Sequence, residues 1–232
     1  MKERTMTSVD TTADESGRPV TRAEEAPAAP PVVGPMAGDP GMLGLGSFIV
    51  GSVALGLAIV GVVPAGVLGA PLAIILSATA LGLLLAAVWA AAVGQSAVAA
   101  IFGIFGTFWL SYAVLVLGLD HAWFAITVTA VLATVRLFLL SWLIVVLMLT
   151  LATLRLPLAF TVLFGLVSLA LLFLLLAWEQ TSPLGVPSSG LLKTGGYIVL
   201  VFAALGVYLF FGASDAGTGG KGLPLGKALL HG

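Results

Sequence analysis

Hydrophobic residues run in long unbroken blocks, not in the spaced stripe of a soluble amphipathic helix or the alternation of a half-buried strand. From Gly41 onward six such blocks succeed one another, at 41–63, 70–93, 97–118, 132–154, 157–178 and 195–213. A hydrocarbon layer about 30 Å thick is crossed by about 20 residues rising about 1.5 Å each. The pattern therefore predicts an all-α polytopic membrane protein, a bundle of six transmembrane helices. The breaks are polar or helix-ending: Pro64 with Gly66 and Gly69, Gly94-Gln95-Ser96, Asp120-His121, Arg155 with Pro157, and the stretch from Glu179 to Lys193. Segment 122–131, AWFAITVTAV, is too apolar for a free loop and too short to cross alone. It reads as an early start of the fourth span, an interfacial helix being the other option and a seventh span the competing count.

Ahead of the blocks, residues 1–38 carry mixed charges and then an Ala/Pro run ending near Pro35. Such a segment cannot bury enough apolar surface to offset ordering its backbone, so a disordered tail is expected there. The first apolar run starts too far in, and runs too long, for a secretory signal. Three regions result: the tail 1–38, the membrane domain 39–214 and a short C-terminal tail 215–232. With both ends placed in the cytoplasm, seven of the nine Lys and Arg residues lie inside, leaving Arg136 and Lys193 outside. The positive-inside rule favours that orientation.

The spans carry internal pattern. Ala78, Gly82, Ala86, Ala90 and Gly94 recur every fourth residue in the second, and Ser47, Gly51, Ala54 and Ala58 mark the first. Small side chains on one face let a neighbouring backbone approach closely, which predicts a tight bundle. Hydroxyls such as Ser52, Ser77, Thr79, Thr107, Ser141 and Thr150 are expected mostly to bond the carbonyl one turn back. Arg136 is expected to snorkel to the interface.

Composition narrows the function. The chain is 60% hydrophobic and 8% charged, with a net charge of −1, so no basic stripe for nucleic acid is present. It has no cysteine, which removes thiolate chemistry and Cys-ligated metals. The strings GTGGKG and PLGK fail as phosphate loops, because Asp215 and Lys221 stand where a P-loop needs Gly and neither Lys precedes Ser or Thr. His121 and His231 lie far apart in the sequence. Enzyme activity, a metal site and a cofactor are therefore not expected.

Asp39-Pro40 stands where the tail meets the first span. Asp is a favoured N-cap, and Pro suits the first helical position, where a missing N–H costs nothing. The longer string Asp39-Pro40-Gly41-Met42-Leu43-Gly44-Leu45, with Phe48 three residues on, resembles the Asn-Pro-Ala-Pro-Leu-Gly-Leu opening of the acetate uptake transporter family, which includes succinate–acetate/proton symporters and fungal acetate and ammonia-export relatives. Phe105-Gly106-Thr107-Phe108-Trp109-Leu110-Ser111 is similar to that family's Tyr-Gly-x-Phe-Trp-x-Ser/Thr. Trp142, Thr153-Leu154-Arg155, Gly196-Tyr197, Tyr208 and Leu223-Pro224-Leu225-Gly226 come next in register, so the resemblance covers about residues 38–227.

The resemblance implies a plasma-membrane transporter or channel for small monocarboxylates such as acetate, with proton symport as an option. It implies a homo-hexamer in which each protomer holds its own path. The apolar constriction of the family maps to Phe48, Phe105 and Val167. Its entrance motif maps to Asp39, Pro40, Leu43, Gly44 and Leu45, and its third-span motif to Gly106, Thr107, Phe108, Trp109 and Ser111. Several positions depart from the family: Asp39 replaces Asn, Met42 the second Pro, Phe105 the constriction Tyr, Ala78-Thr79-Ala80 the Tyr-Gly-Gly motif, and Leu83 a Gln. Acidic residues typical of the second and sixth spans fall on Ala90 and Ala213. Passage of ammonia or another small neutral solute stays open, as does a non-transporting membrane scaffold whose tail binds a cytosolic partner.

Overall fold

The computed structural model describes residues 12–13, 19–20, 37–64, 69–181 and 187–230. Six helices in it are long and apolar enough to cross a membrane. They are α1 (Pro40–Val60), α2 (Ala70–Ala92), α3 (Ser96–Asp120), α4 (Val131–Ala152, with a 3₁₀ turn at each end), α5 (Leu158–Glu179) and α6 (Ser189–Gly217). Among the described residues, the β-structure is a two-residue antiparallel pairing of Thr12–Ala13 with Pro19–Val20. The rest of the tail expected over 1–38, up to Met36, lies outside the described residues, as does Gly66 in the first break.

The segment 122–131 adds no seventh span. Only its end joins the fourth helix, Val128–Ala130 as the leading 3₁₀ turn and Val131 as the first α-helical residue. Ala122 and Ala125 have positive φ, 54° and 50°, which breaks any helix between Asp120 and Thr127. The last span also differs: α6 starts at Ser189, six residues before the apolar block, because Ser189–Thr194, mixed in polarity, continues the helix beyond the length that hydrocarbon alone requires.

The start of α1 shows how the sequence sets local structure. Asp39 is the N-cap, its Oδ1 accepting the Gly41 N–H at 2.8 Å, and Pro40 opens the helix. Each helix packs on its sequence neighbours and α1 on α6, so the six close into a ring. The α1–α6 contact is extensive, made through glycines whose missing side chains admit the partner: Gly56 against Leu200, and Gly196 against Ile59 and Val60. The α3–α4 seam has few backbone approaches and is filled by rings instead, Phe108 meeting Trp142 at 5.3 Å and Phe138 at 6.0 Å. Lipid tails are as apolar as Leu, so such packing, not burial from water, holds membrane helices together.

The small-residue ladder of α2 is only partly the interface. Gly82, Ala86 and Ala90 are buried, but Ala78 is exposed and Thr79 takes its place, fully buried against Gly51 of α1. The cause is a π-helical stretch, Ile75–Ala80, whose wider turn shifts the phase of everything before it. Gly94 lies past the helix end with φ +79°.

Most hydroxyls of the spans bond back along their own helix: buried Ser52 to the Phe48 carbonyl, exposed Ser77 to Ala73 and Ser141 to Leu137, and half-buried Thr150 to Val146, at 2.5–2.8 Å. Thr150 also meets Ser168 at 3.0 Å, tying α4 to α5. Arg136 does more than snorkel. Its Nε lies 2.9 Å from Glu179 Oε1, at the end of the ring where α1 finishes and α6 starts.

Candidate functional site

Phe48 of α1 and Phe105 of α3 meet inside the ring, edge to face, with centroids 5.5 Å apart. Both are nearly fully buried, at 5% and 3% exposure. Phe164 of α5 stacks on Phe105 at 5.5 Å, and Phe202 of α6 lies 5.6 Å from Phe48. Four phenyl rings from four helices thus converge on one level of the bundle.

A chamber lies on each side of this level. The larger, about 470 Å³, is at the end where α1 starts, between Asp39, Leu45, Phe102, Phe160 and the segment that follows α6. The smaller, about 30 Å³, lies further along, between Leu55, Trp109, Val167, Leu171 and Val199. Phe48 and Phe105 line both. The two rings are the partition between the chambers.

The floor of the larger chamber is the chain's own C-terminus. After α6, the glycine-rich turn wraps the Asp215 carboxylate, which accepts the Gly222 N–H at 3.0 Å. Gly219 and Gly222 have φ of +95° and +67°, a region open to glycine at little cost. The GTGGKG string that failed as a phosphate loop thus folds around an internal carboxylate. Leu223 then packs on Gly212, the Tyr208 hydroxyl donates to the Pro224 carbonyl at 2.7 Å, and the Ala159 N–H donates to the Leu225 carbonyl at 2.9 Å. Leu229 and Leu230 both donate to the Leu154 carbonyl, at 3.1 and 3.0 Å. Lys221, Leu223 and Leu225 face the chamber.

The residues anticipated from sequence divide. Asp39, Leu45, Phe48 and Phe105 line the larger chamber, and Phe108, Trp109 and Val167 the smaller. Pro40 is buried at the helix start, and Gly44 and Gly106 are packing positions, where a Cβ would collide with Phe102 or crowd Leu84. Leu43 and Thr107 are exposed on the outside of their helices, and the half-buried Ser111 donates to the Phe108 carbonyl at 2.9 Å. Phe164 contacts Phe105 directly, whereas Val167, one turn further, belongs to the smaller chamber alone. Phe164 and Phe202 were missed from sequence, and Tyr208, Leu223, Pro224 and Leu225 were noted there as matches to the family without a place at the site. An available signal was the phenylalanine three residues before Val167, on the same helix face.

A six-span ring enclosing two chambers divided by phenyl rings defines a polytopic membrane protein with a chambered interior. The sequence profile of the GPR1/FUN34/yaaH family matches residues 23–218, and the chain belongs to that family, the acetate transporter family that its motifs resemble. Among solved structures, one described as the structure of the bacterial acetate channel SatP superposes with a TM-score of 0.69. The match covers 82% of this chain and 99% of that one at 21% identity, and so establishes a shared fold. Comparison with curated proteins finds no match.

Proposed function

We propose that the protein is a transporter or channel for acetate-like monocarboxylates, acting by permeation and not by catalysis. It sits in the plasma membrane with both termini cytoplasmic, in a homo-hexamer whose protomers each carry a path. The single observation that carries this reading is that Phe48 and Phe105 divide two chambers on one line through the ring. Family membership and the likeness to an acetate channel supply the solute class. The excess of Lys and Arg on the terminal side supports the orientation.

The chemistry suits a small amphiphilic anion. Its methyl end tolerates an apolar neck, and a dry constriction of this kind hinders free passage of water and inorganic ions. At the larger chamber Lys221 offers the cation and Asp39 the carboxylate; among the residues lining the two chambers Asp39 is the only acid, so proton coupling, where it occurs, is assigned there. The test is uptake of radiolabelled acetate into proteoliposomes, with labelled methylammonium in parallel. Acetate flux above empty vesicles, competed by other short carboxylates, is the expected result. Methylammonium flux without acetate flux would replace this reading with the neutral-solute one, and no flux of either favours a scaffold.

A further inference from the structure

The larger chamber is roomier than acetate requires. Its volume, about 470 Å³, is about three times that of an engineered apolar cavity that takes up benzene. It begins beside Asp39, the cap of α1, and ends on Phe48, nine residues along that helix, or about 13 Å at about 1.5 Å per residue. Apart from Asp39 and Lys221, no residue lining it has a polar side chain. These two lie outside the spans, one just before α1 and the other just after α6. Asp39 is engaged, its Oδ1 accepting the Gly41 N–H at 2.8 Å. The only ion pair among the described residues joins Arg136 to Glu179, so the Lys221 ammonium has no counter-ion there.

We propose that this chamber seats monocarboxylates of hexanoate to octanoate size, with the tail against the phenyl partition and the carboxylate beside Lys221, and that a seated acid blocks acetate. A deep apolar pocket with one uncommitted cation at its end suits an amphiphilic anion. The charge stays at the wet end, where it escapes the cost of burial, and only hydrocarbon goes inside. Each methylene moved from water into such walls tightens binding about fourfold, a gain that acetate cannot collect. An extended chain gains about 1.2 Å per bond, so an octanoate tail of about 8 Å fits the depth, whereas a bilayer lipid's acyl chain overruns it. The seat follows from the chamber alone. The block rests on the transport reading above, because a seated tail fills the space that acetate has to cross.

The test is equilibrium dialysis of radiolabelled butyrate, hexanoate and octanoate against the full-length protein in lipid nanodiscs, empty nanodiscs giving the share that enters lipid. The dissociation constant is expected to fall about fifteenfold from butyrate to hexanoate and about fifteenfold again to octanoate. Ala213 lines the chamber, and Ala213→Phe puts a ring where the tail would lie, which should abolish most of that gain. Ala213→Leu should lose part of it, and decides the matter if the Phe variant does not assemble. Lys221→Gln should weaken all three acids by a similar factor and leave their ratios unchanged. In proteoliposomes the acids should inhibit uptake of labelled acetate in the same order. Binding no greater than to empty nanodiscs, as when lipid chains fill the chamber, overturns the inference. So does an affinity indifferent to chain length, or a chain-length gain that both Ala213 variants retain. Acetate flux undiminished by saturating octanoate removes the block. Graded binding without any acetate flux upholds the seat and removes the transport reading instead.

Discussion

The ring of Phe164 stacks on that of Phe105 with centroids 5.5 Å apart and planes 21° from parallel. Phe164 is thus the third wall of the neck, and Val167 lies beyond it. The two positions make different predictions. Phe164→Ala is expected to open the partition and raise leak of acetate and small ions several-fold, whereas Val167→Ala enlarges the smaller chamber and leaves leak near wild type. In a soluble core, Phe→Ala costs about 3–5 kcal/mol. Here part of that transfer term is absent, because lipid is as apolar as the interior, so the folding penalty is expected to be smaller. Flux in proteoliposomes and thermal melts in detergent separate leak from instability. Equal leak from both variants would return the third wall to Val167. Phe48→Ala, which removes one half of the partition, is expected to leak at least as much as Phe164→Ala.

How much of the fold and the neck was legible in the sequence depends on the range of the interaction. The cap at Asp39-Pro40 was readable because capping is decided within a few residues, and the Asp39 carboxylate meets the Gly41 N–H as that rule requires. The six spans were readable because hydrocarbon thickness sets their length. The π-helical stretch was not, since nothing in ILSATA distinguishes it from an ordinary helix and its cause lies in packing against α1 and α3. Nor was the floor of the larger chamber: Tyr208 and Pro224 are 16 residues apart, and only the folded turn around Asp215 brings them together. Phe164 and Val167 share a face of α5, so periodicity could not choose between them.

The Tyr208–Pro224 hydrogen bond gives a second prediction. Tyr208→Phe removes the hydroxyl and leaves the ring. One such bond contributes about 1 kcal/mol net, which is about a fivefold change in the population of a released C-terminus. Trypsin reports it, because Lys221 and Lys227 lie in the segment held by that bond. Cleavage after these residues is expected to be about fivefold faster in Tyr208→Phe, with the helices left intact. Unchanged cleavage would mean that the Leu225 and Leu154 bonds suffice to hold the floor.

Gly51 and Thr79 give a third. A Cβ on Gly51 would overlap the Thr79 side chain, which is fully buried on the π-helical stretch. Gly51→Ala is expected to lower stability by about 1–3 kcal/mol, the usual cost of overpacking. Thr79→Ala removes the two nearest obstructing atoms, Oγ1 and Cγ2, and with Oγ1 a buried hydroxyl that lacks a partner among the described residues. The double variant should therefore be more stable than Gly51→Ala alone. A double-mutant cycle by thermal or denaturant unfolding measures this coupling, and additivity would show that the two helices part to admit the extra carbon.

Asp39 has two roles that a pair of substitutions separates. As the N-cap it holds the first turn of α1, and as a carboxylate lining the larger chamber it sets a negative charge where an anion enters. Asparagine is as good a cap as aspartate, while alanine loses about 1 kcal/mol. Asp39→Asn should therefore leave the melting temperature near wild type and raise the rate of acetate uptake at low salt by removing the repulsion. Asp39→Ala should gain the same rate at a lower melting temperature. Raising ionic strength from about 0.01 M to about 0.15 M shortens the screening length from about 30 Å to about 8 Å, so the advantage of both variants over wild type should shrink along that series. A slower Asp39→Asn at every salt concentration would show the opposite, that the carboxylate serves the solute directly, as it would if it carried the coupled proton.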